Sequence, residues 1–339
     1  MPKPLLALTM GDPAGVGPEV IAGAWPHAPL HEWCRPLVVG HPEIMRRAAA
    51  LRSAGLKVVE ITTPEEASPS PALIPCLRAV DDVALHVTPC AIDGRGGQAA
   101  YDALLAAAKL ALAGRVDAIT TAPLNKAALW EAGHRYPGHT ELLAELCGVE
   151  NFAMMLYLAH DGSIRSPAGL GVVHVTLHMA LRDVFAGLSA DAIVTKTRLA
   201  HDAMRRLKVA SPRVGVCALN PHAGESGLFG DEERTLIAPA VARAKADGID
   251  VSGPFPADTL MVRARDGEFD AVVAMYHDQG HIALKLLGMH RAVNVTLGLP
   301  IVRTSVAHGT AFDLAWQGRA ECGSMIEAAR VAVEMALRN

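Results

Sequence analysis

Short apolar runs rich in Val, Leu and Ile alternate along the chain with longer Ala-rich stretches whose apolar residues recur at helical spacing. The short runs predict strands at residues 5–10, 37–40, 58–61, 118–121, 153–158, 214–219 and 271–276. The longer stretches predict helices, most clearly at residues 101–112, 189–207 and 321–337. Such alternation is typical of a parallel sheet with crossover helices, so the predicted fold class is α/β.

Composition adds the expectation of a large intracellular protein. Of its 339 residues, 51% are hydrophobic and only 4% aromatic, so we expect a core of aliphatic side chains. Six scattered cysteines without a CxxC pair favour reduced thiols. Residues 1–5 lack the apolar segment of a secretory signal, and no apolar run approaches the roughly 20 residues that span a bilayer. A cytoplasmic location without membrane association is therefore expected. Four prolines between residues 62 and 75 predict an irregular surface loop there.

The charge balance argues against nucleic acid as a partner. Lys and Arg total 31 against 35 Asp and Glu, a net charge of −4, and no basic stretch carries interleaved aromatic residues. A small anionic substrate would need local cations, because the overall field does not attract it. Lys285 and Arg303 are candidates, evenly spaced around Asn294, although isolated residues of this kind are usually solvated surface charges.

Histidines directly after predicted strands are the strongest sign of chemistry. His222 lies in Asn-Pro-His-Ala-Gly-Glu and His277 in His-Asp-Gln-Gly, each following an apolar run. Histidines at strand ends can converge as ligands of a divalent metal or as acid–base groups. His174 and His178 offer a third candidate, in a β-branched context that favours a strand running into a loop over a helix. A single loop histidine is more often solvated, so only the matched contexts favour a site.

Three turns next to predicted helices are further candidates. Residues 11–19, Gly-Asp-Pro-Ala-Gly-Val-Gly-Pro-Glu, join the first strand to a helix, where backbone N–H groups favour an anion. Their spacing is not GxGxxG, and a plain tight turn is an equal alternative. Thr140 is a possible helix N-cap, with His139 immediately before it. Residues 308–315 place a small-residue turn before a helix, which alone is a weak signal.

Together these segments resemble the 4-hydroxythreonine-4-phosphate dehydrogenase family, the PdxA-type proteins. The matching segments follow the family order along nearly the whole chain: residues 10–19, 138–141, 220–225, 256–259, 274–280, 294–300 and 303–305.

The resemblance implies a two-lobed α/β fold like that of isocitrate and isopropylmalate dehydrogenases, with an active-site cleft between the lobes. Residues 11–19 are similar to the GDGIGPE-like turn of those enzymes. Residues 308–315 are similar to their HGSAPDIA loop, which holds the adenosine end of NAD. The first lobe is expected at residues 1–122 and 295–339, and the second at residues 123–294.

Site residues follow from the same resemblance. The metal ligands fall on His178, His222 and His277, with His178 preferred over His174 because it leads into Leu181-Arg182-Asp183. Asp258 and Asp278 are candidates for orienting a ligand histidine. The substrate-binding positions are His139, Thr140, Lys285, Asn294 and Arg303. The cofactor-binding positions are His308, Gly309, Thr310 and Asp313.

The implied reaction is oxidation of a hydroxyl β to a carboxylate by NAD or NADP, followed by decarboxylation. A divalent ion (Zn, Mg, Co or Mn) would act as Lewis acid, in a homodimer whose active site draws on both subunits. Residues 121–126, Thr-Ala-Pro-Leu-Asn-Lys, depart from the Gly-Pro-Val-His-Lys that vitamin B6 enzymes tend to have. With residues 172–178 they resemble a branch acting on D-threonate or D-erythronate 4-phosphate.

Three alternatives stay open. The substrate could be 4-phosphohydroxy-L-threonine, as in pyridoxal 5'-phosphate synthesis. A phosphate acyltransferase could use a related fold without NAD or metal, and a metabolite-binding protein would need neither. These last two classes offer no reason for three histidines at strand ends.

Overall fold

The computed structural model describes residues 3–53 and 55–337. The strands in these ranges are β1 (Leu5–Thr9), β2 (Arg35–Gly40), β3 (Lys57–Ile61), β4 (Leu73–Arg78), β5 (Ala118–Thr121), β6 (Ala153–Leu158), β7 (Leu170–His174), β8 (Val214–Cys217), β9 (Val251–Phe255), β10 (Ala271–Ala274), β11 (Val293–Leu297) and β12 (Arg303–Val306). The α-helices are α1 (Gly17–Ala24), α2 (Ala28–Trp33), α3 (Pro42–Arg52), α4 (Gly94–Leu112), α5 (Lys126–Glu131), α6 (His139–Leu146), α7 (Val184–Gly187), α8 (Ala190–Arg206), α9 (Ala238–Ala246), α10 (Ala257–Arg265), α11 (His277–Gly288) and α12 (Gly323–Ala336).

The predicted strands are present with nearly the predicted bounds. β5 and β6 have the bounds expected from their apolar runs, and every residue of β1, β5 and β6 is buried. Strands covered on both faces carry continuous apolar runs instead of alternating ones, which is why the sequence identifies them. Within the two described ranges, none of the helices has the length and apolarity needed to cross a bilayer.

The chain forms two compact units, of which the first comprises residues 1–150 and 299–339. Its six strands are all parallel, in the order β3-β4-β2-β1-β5-β12. Trp25 is fully buried, and its indole N–H donates to the carbonyls of Ser70 and Leu73, at 2.8 and 3.0 Å. The carboxyl ends of β1, β5 and β12 are neighbours, so the turns that follow them share one edge of the sheet.

The second unit comprises residues 151–298. Its strand order is β11-β6-β7-β10-β8-β9, with β6 antiparallel to both neighbours and the remaining pairs parallel. Because β7, β10 and β8 are adjacent and parallel, the loops after them also share one sheet edge. The loops after β7 and β8 carry His178 and His222, and His277 begins the helix that follows β10. The three histidines are widely separated in sequence.

The boundaries of the units differ from the predicted 122/123 and 294/295. Residues 123–150 belong to the first unit, where the ring of His134 stacks on that of Tyr101 with centroids 3.6 Å apart. The imidazole Nε2 of His134 also lies 3.0 Å from Oε1 of Gln98, on α4. Residues 295–298 stay with the second unit because β11 pairs with β6. Apolar patterning marks a helix but does not show which sheet it packs on.

The predicted surface loop at residues 62–75 is partly wrong. A 3₁₀ turn covers Pro64–Glu66, and β4 begins at Leu73, so Pro75 lies inside a strand. β4 pairs with β3 from Leu73 onward, whereas its pairing with β2 begins only at Cys76. Pro75 therefore lies outside the register with β2, where its missing N–H leaves no ladder hydrogen bond unmade.

Candidate active site

The second unit brings histidines together at the carboxyl edge of β7 and β10. His174 is the last residue of β7, and His178 lies in the loop that follows, so a strand runs into a loop here. His277 begins α11 just after β10. The ring centroids of His178 and His277 are 6.0 Å apart. Two of the three predicted metal ligands are therefore close neighbours.

His178 and His277 fit a shared divalent ion. Two imidazoles on one ion, each with a metal–nitrogen bond of about 2.1 Å, have ring centres roughly 5 to 6 Å apart. The Nδ1 of His277 lies 2.7 Å from Oδ1 of Asp278, a contact that orients a ligand histidine and leaves its Nε2 for the ion. Imidazole donors suit zinc and cobalt better than magnesium. Asp258 instead accepts the backbone N–H of Thr259 at 2.9 Å, at the start of α10.

His222 lies in a loop with unusual backbone geometry. In the segment Pro221–Gly227, five successive residues starting at His222 have φ between 42° and 78°. Left-handed backbone costs roughly 1–2 kcal/mol for each non-glycine residue, and strain of this kind clusters at functional sites. The Nδ1 of His222 lies 3.2 Å from Oε2 of Glu225, and its ring meets that of Phe229 edge-on. Among the residues described, no three His, Cys, Asp or Glu side chains form a ready-made ion site.

Two histidines outside the predicted ligand set extend the cluster. The ring of His281 stacks on that of His277, with centroids 3.8 Å apart and planes at 12°. The Nδ1 of His281 lies 3.1 Å from Nε2 of His174. Burial, followed by the charges of His277 and Lys285, lowers the pKa of His281 to about 4. Burial also holds the pKa of His174 well below its ordinary value, so both rings are neutral at neutral pH.

The sequence carries one signal for His281, namely its helical spacing from His277. That signal becomes visible only once α11 is known to begin at His277. Its N-cap residue, Tyr276, makes no side-chain capping hydrogen bond, so no local capping motif marks this start.

Two predicted substrate-binding residues also belong to the second unit. Lys285 lies on α11, two turns beyond His277. Asn294, in β11, donates its Nδ2 to Sδ of Met154 at 3.2 Å, while its Oδ1 is buried without a hydrogen-bond partner in the described part of the chain. Such an oxygen is rare in folded proteins and is suited to receive a donor from a ligand.

Arg303, in the first unit, is 1% exposed, so the interpretation of this residue as a solvated surface charge is wrong. It is the first residue of β12, and its Nη2 donates to Oγ1 of Thr121 at 2.6 Å. Burial lowers the pKa of Arg303 to about 9, and the charge of Glu141 acts in the opposite direction. A guanidinium buried this deeply is suited to hold an anion excluded from water.

Near Arg303 in the same unit, α6 begins at His139 with Gly138 as its N-cap. Thr140 is therefore not the N-cap, because the extended backbone of Gly138 occupies that position; Thr140 lies buried in the first turn. Burial is the main cause that holds the pKa of His139 well below its ordinary value, and the positive charge of Arg303 is the second. The imidazole is consequently neutral at neutral pH.

The glycine-rich turn after β1 packs against the loop after β12. Gly15 approaches Thr310 so closely that a Cβ on Gly15 would lie 2.8 Å from the Cβ of Thr310. The buried carboxylate of Glu19 accepts the backbone N–H groups of Trp316 and Gly318, at 2.5 and 2.6 Å. Glu19 therefore fixes this loop to α1, a role that the sequence did not indicate.

Polar groups of this loop remain available to a ligand. The Nδ1 of His308 lies 2.9 Å from the carbonyl oxygen of Gly309, whereas Nε2 of His308 is buried and lacks a partner among the described residues. Gly309 and Asp313 are exposed. The indole N–H of Trp316 donates to the carbonyl of Pro13 at 2.8 Å. An unsatisfied imidazole nitrogen beside exposed backbone suits the polar part of a dinucleotide.

Relatives that are 44% and 47% identical over nearly the whole chain are dehydrogenases by name. A family model described as pyridoxal phosphate biosynthetic protein PdxA matches residues 32–332. The 4-hydroxythreonine-4-phosphate dehydrogenase of Geobacter metallireducens is 47% identical, over 98% of this chain and 96% of that protein. The D-threonate 4-phosphate dehydrogenase of Pectobacterium atrosepticum is 44% identical, over 98% of this chain and 99% of that protein.

Two solved structures are also similar to this chain. The crystal structure of 4-hydroxythreonine-4-phosphate dehydrogenase from Klebsiella pneumoniae matches with a TM-score of 0.87 at 43% identity, covering 98% of this chain and 100% of that one. A β-decarboxylating dehydrogenase from Thermococcus kodakarensis shares the fold, with a TM-score of 0.51 at 14% identity over 98% of this chain and 82% of that one. The predicted fold class is thereby confirmed. The chain is an oxidoreductase acting on a CH–OH group, and it belongs to the PdxA family.

Proposed function

We propose that this protein oxidises and decarboxylates a four-carbon hydroxy acid phosphorylated at its 4-position, using NAD or NADP and a divalent metal. The names of the relatives support this substrate class. Within the chain, the observation that carries the proposal is the pair His178 and His277. Their ring centroids are 6.0 Å apart, and the side chain of Asp278 is hydrogen-bonded to the ring of His277.

Two bound groups would complete the chemistry. When bound, the metal would supply a Lewis acid for negative charge on the substrate, and the nicotinamide would accept a hydride. His178 and His277 would hold the metal, and His222 would join them after a rearrangement of its turn. The residues proposed for the dinucleotide are His308, Gly309, Thr310 and Asp313.

The charged ends of the substrate would be held by the chain's own polar groups. In the first unit, Arg303 would bind the phosphate or the carboxylate through its planar fork. Beside it, the neutral ring of His139 can both donate and accept a hydrogen bond, and Thr140 supplies a hydroxyl. In the second unit, Lys285 would act as a point charge and Oδ1 of Asn294 would accept a substrate hydroxyl.

For the substrate itself, we favour D-threonate or D-erythronate 4-phosphate over 4-phosphohydroxy-L-threonine. Of the two sequence features that favour the sugar acids, Asn125 has a structural role, since its Oδ1 accepts the N–H of Ala128 at 3.0 Å and caps α5. The other feature, the segment around His174, still favours the sugar acids as substrates. The names of the relatives divide between the two substrates.

Steady-state kinetics with the three phosphorylated acids test both parts of the proposal. NAD or NADP reduction should require added Zn²⁺, Co²⁺, Mn²⁺ or Mg²⁺, and His277→Ala should reduce turnover to background. No cofactor reduction with any of the three acids would contradict the reaction. A preference of tenfold or more in kcat/KM for the amino acid, about 1.4 kcal/mol, would contradict the choice of substrate but not the reaction.

A further inference from the structure

His281 is a buried residue that the proposed reaction does not use. It lies one turn after His277 on α11 and is 7% exposed. Two contacts define its position: its ring stacks on His277, and its Nδ1 is paired with Nε2 of His174, which is fully buried at the end of β7. A chain of three imidazoles therefore links β7 to His277.

The backbone between these histidines is shaped for this contact. A Cβ on Gly280 would lie 2.5 Å from Nε2 of His174, closer than real Cβ contacts occur. The absence of a side chain at Gly280 thus lets His174 reach His281. The ring of His174 is fully buried, and the contact between Nδ1 of His281 and Nε2 of His174 orients the ring face that is stacked on His277.

His281 is poorly placed to be a metal ligand itself. The lone pair of an imidazole nitrogen lies in the plane of its ring, and the planes of His277 and His281 are stacked at 12°. One ion about 2.1 Å from a nitrogen of each ring could not lie in both planes. The Nδ1 of His281 is in addition engaged by His174.

We propose that His281, held by His174, is a positioning residue that fixes the plane of the His277 ring for metal binding. Asp278 determines which nitrogen of His277 is presented, and the stack on His281 determines where that nitrogen points. Fixing the ring beforehand reduces the conformational entropy lost when the ion binds. The inference rests on the proposed function, because it takes His277 to be a metal ligand.

Titration of metal-stripped protein with Co²⁺, followed by visible absorption, tests this role without any turnover. Replacement of His281 by Ala removes both contacts and should weaken Co²⁺ binding by about 10- to 100-fold, the range for partners behind a metal ligand. His281→Phe restores the stacked ring and should recover part of the affinity. His281→Asn keeps a polar group near the position of Nδ1 but loses the stack, so it should resemble the Ala variant, and it decides the matter if the Ala variant does not fold.

A matched control separates positioning from general loss of packing. His134 is likewise stacked on an aromatic ring and hydrogen-bonded, but it belongs to the first unit. His134→Ala should lower the melting temperature while leaving the Co²⁺ affinity and absorption spectrum unchanged. His281→Ala should change both the affinity and the spectrum.

The outcomes separate the positioning role of His281 from the metal site itself. If the Ala and Asn variants at position 281 bind Co²⁺ as tightly as the wild type while His277→Ala does not, the metal site stands and the positioning role is wrong. If His277→Ala also binds as tightly as the wild type, the proposed metal site itself is wrong, and the role of His281 falls with it.

Discussion

Asp12 is a fully buried carboxyl in the turn after β1. Burial raises its pKa from 3.8 to about 6, although the N–H of Ala14 donates to its Oδ1 at 2.8 Å and acts in the opposite direction. Its Oδ2 has no hydrogen-bond partner within residues 3–53 and 55–337. The folded protein thus binds this proton more tightly than the unfolded chain does.

Asp12→Asn should stabilise the protein above pH 6. Because the folded pKa is raised, the wild type loses stability as the pH rises from about 3.8 to about 6, by at most about 3 kcal/mol at 1.36 kcal/mol per pH unit. The amide keeps an acceptor for Ala14 and has no charge to bury. Urea unfolding of both proteins between pH 4.5 and 7.5 measures the difference. A difference in unfolding free energy that does not vary with pH would contradict the raised pKa.

Arg303→Lys should reduce kcat/KM for the phosphorylated substrate by roughly tenfold or more, because a point charge cannot reproduce the planar fork. Affinity for NAD should be nearly unchanged. The substrate without its phosphate is the control, on which both enzymes should be equally poor. Arg35→Lys, at a partly buried arginine bonded to the carbonyl of Ala67, controls for the loss of a guanidinium elsewhere. If Arg303→Lys loses NAD binding instead, Arg303 belongs to the cofactor site.

The loop after β8 is anchored where it leaves the strand. Glu233 accepts the N–H groups of Leu219 and Asn220, at 2.9 and 2.7 Å, whereas the following residues adopt the left-handed turn. Adding Zn²⁺ to metal-free protein should draw His222 to the ion and slow amide hydrogen exchange across residues 221–229. In His222→Ala the same ion should leave exchange in this loop unchanged. Equal slowing in both proteins would show that His222 is not a ligand.

Much of the sheet could be predicted from sequence, because β1, β5 and β6 are buried on both faces and consist of apolar residues and threonine, without any charged side chain. The turn at His222 could not be predicted, since three of its five left-handed residues, Ala223, Glu225 and Ser226, have no local preference for that conformation. The contact between His174 and His281 joins residues 107 positions apart and depends on α11 packing beside β7. Such a contact has no signature in local spacing.

The homodimer stays a prediction, supported by exposed apolar side chains of the second unit. Leu181, Leu228 and Leu286 are 66%, 73% and 83% exposed, and association with a second chain would remove such apolar surface from water. Light scattering should give twice the chain mass of 35.6 kDa. Leu286→Glu should shift the mass towards one chain, and Leu112→Glu, on α4 of the first unit, should not. A wild-type mass of one chain would contradict the dimer.

The four tryptophans, Trp25, Trp33, Trp130 and Trp316, all belong to the first unit. Tryptophan emission from this protein consequently reports on that unit alone, and a fluorescence melt does not follow unfolding of the unit that carries His178, His222 and His277. Circular dichroism reports on both units. A difference between the melting temperatures from fluorescence and from circular dichroism would therefore show that the two units unfold separately. Trp316, anchored to Glu19 and Pro13 in the loop proposed for the dinucleotide, is in addition a built-in optical probe: its emission overlaps the absorption of a reduced nicotinamide, and quenching would report cofactor binding without any label.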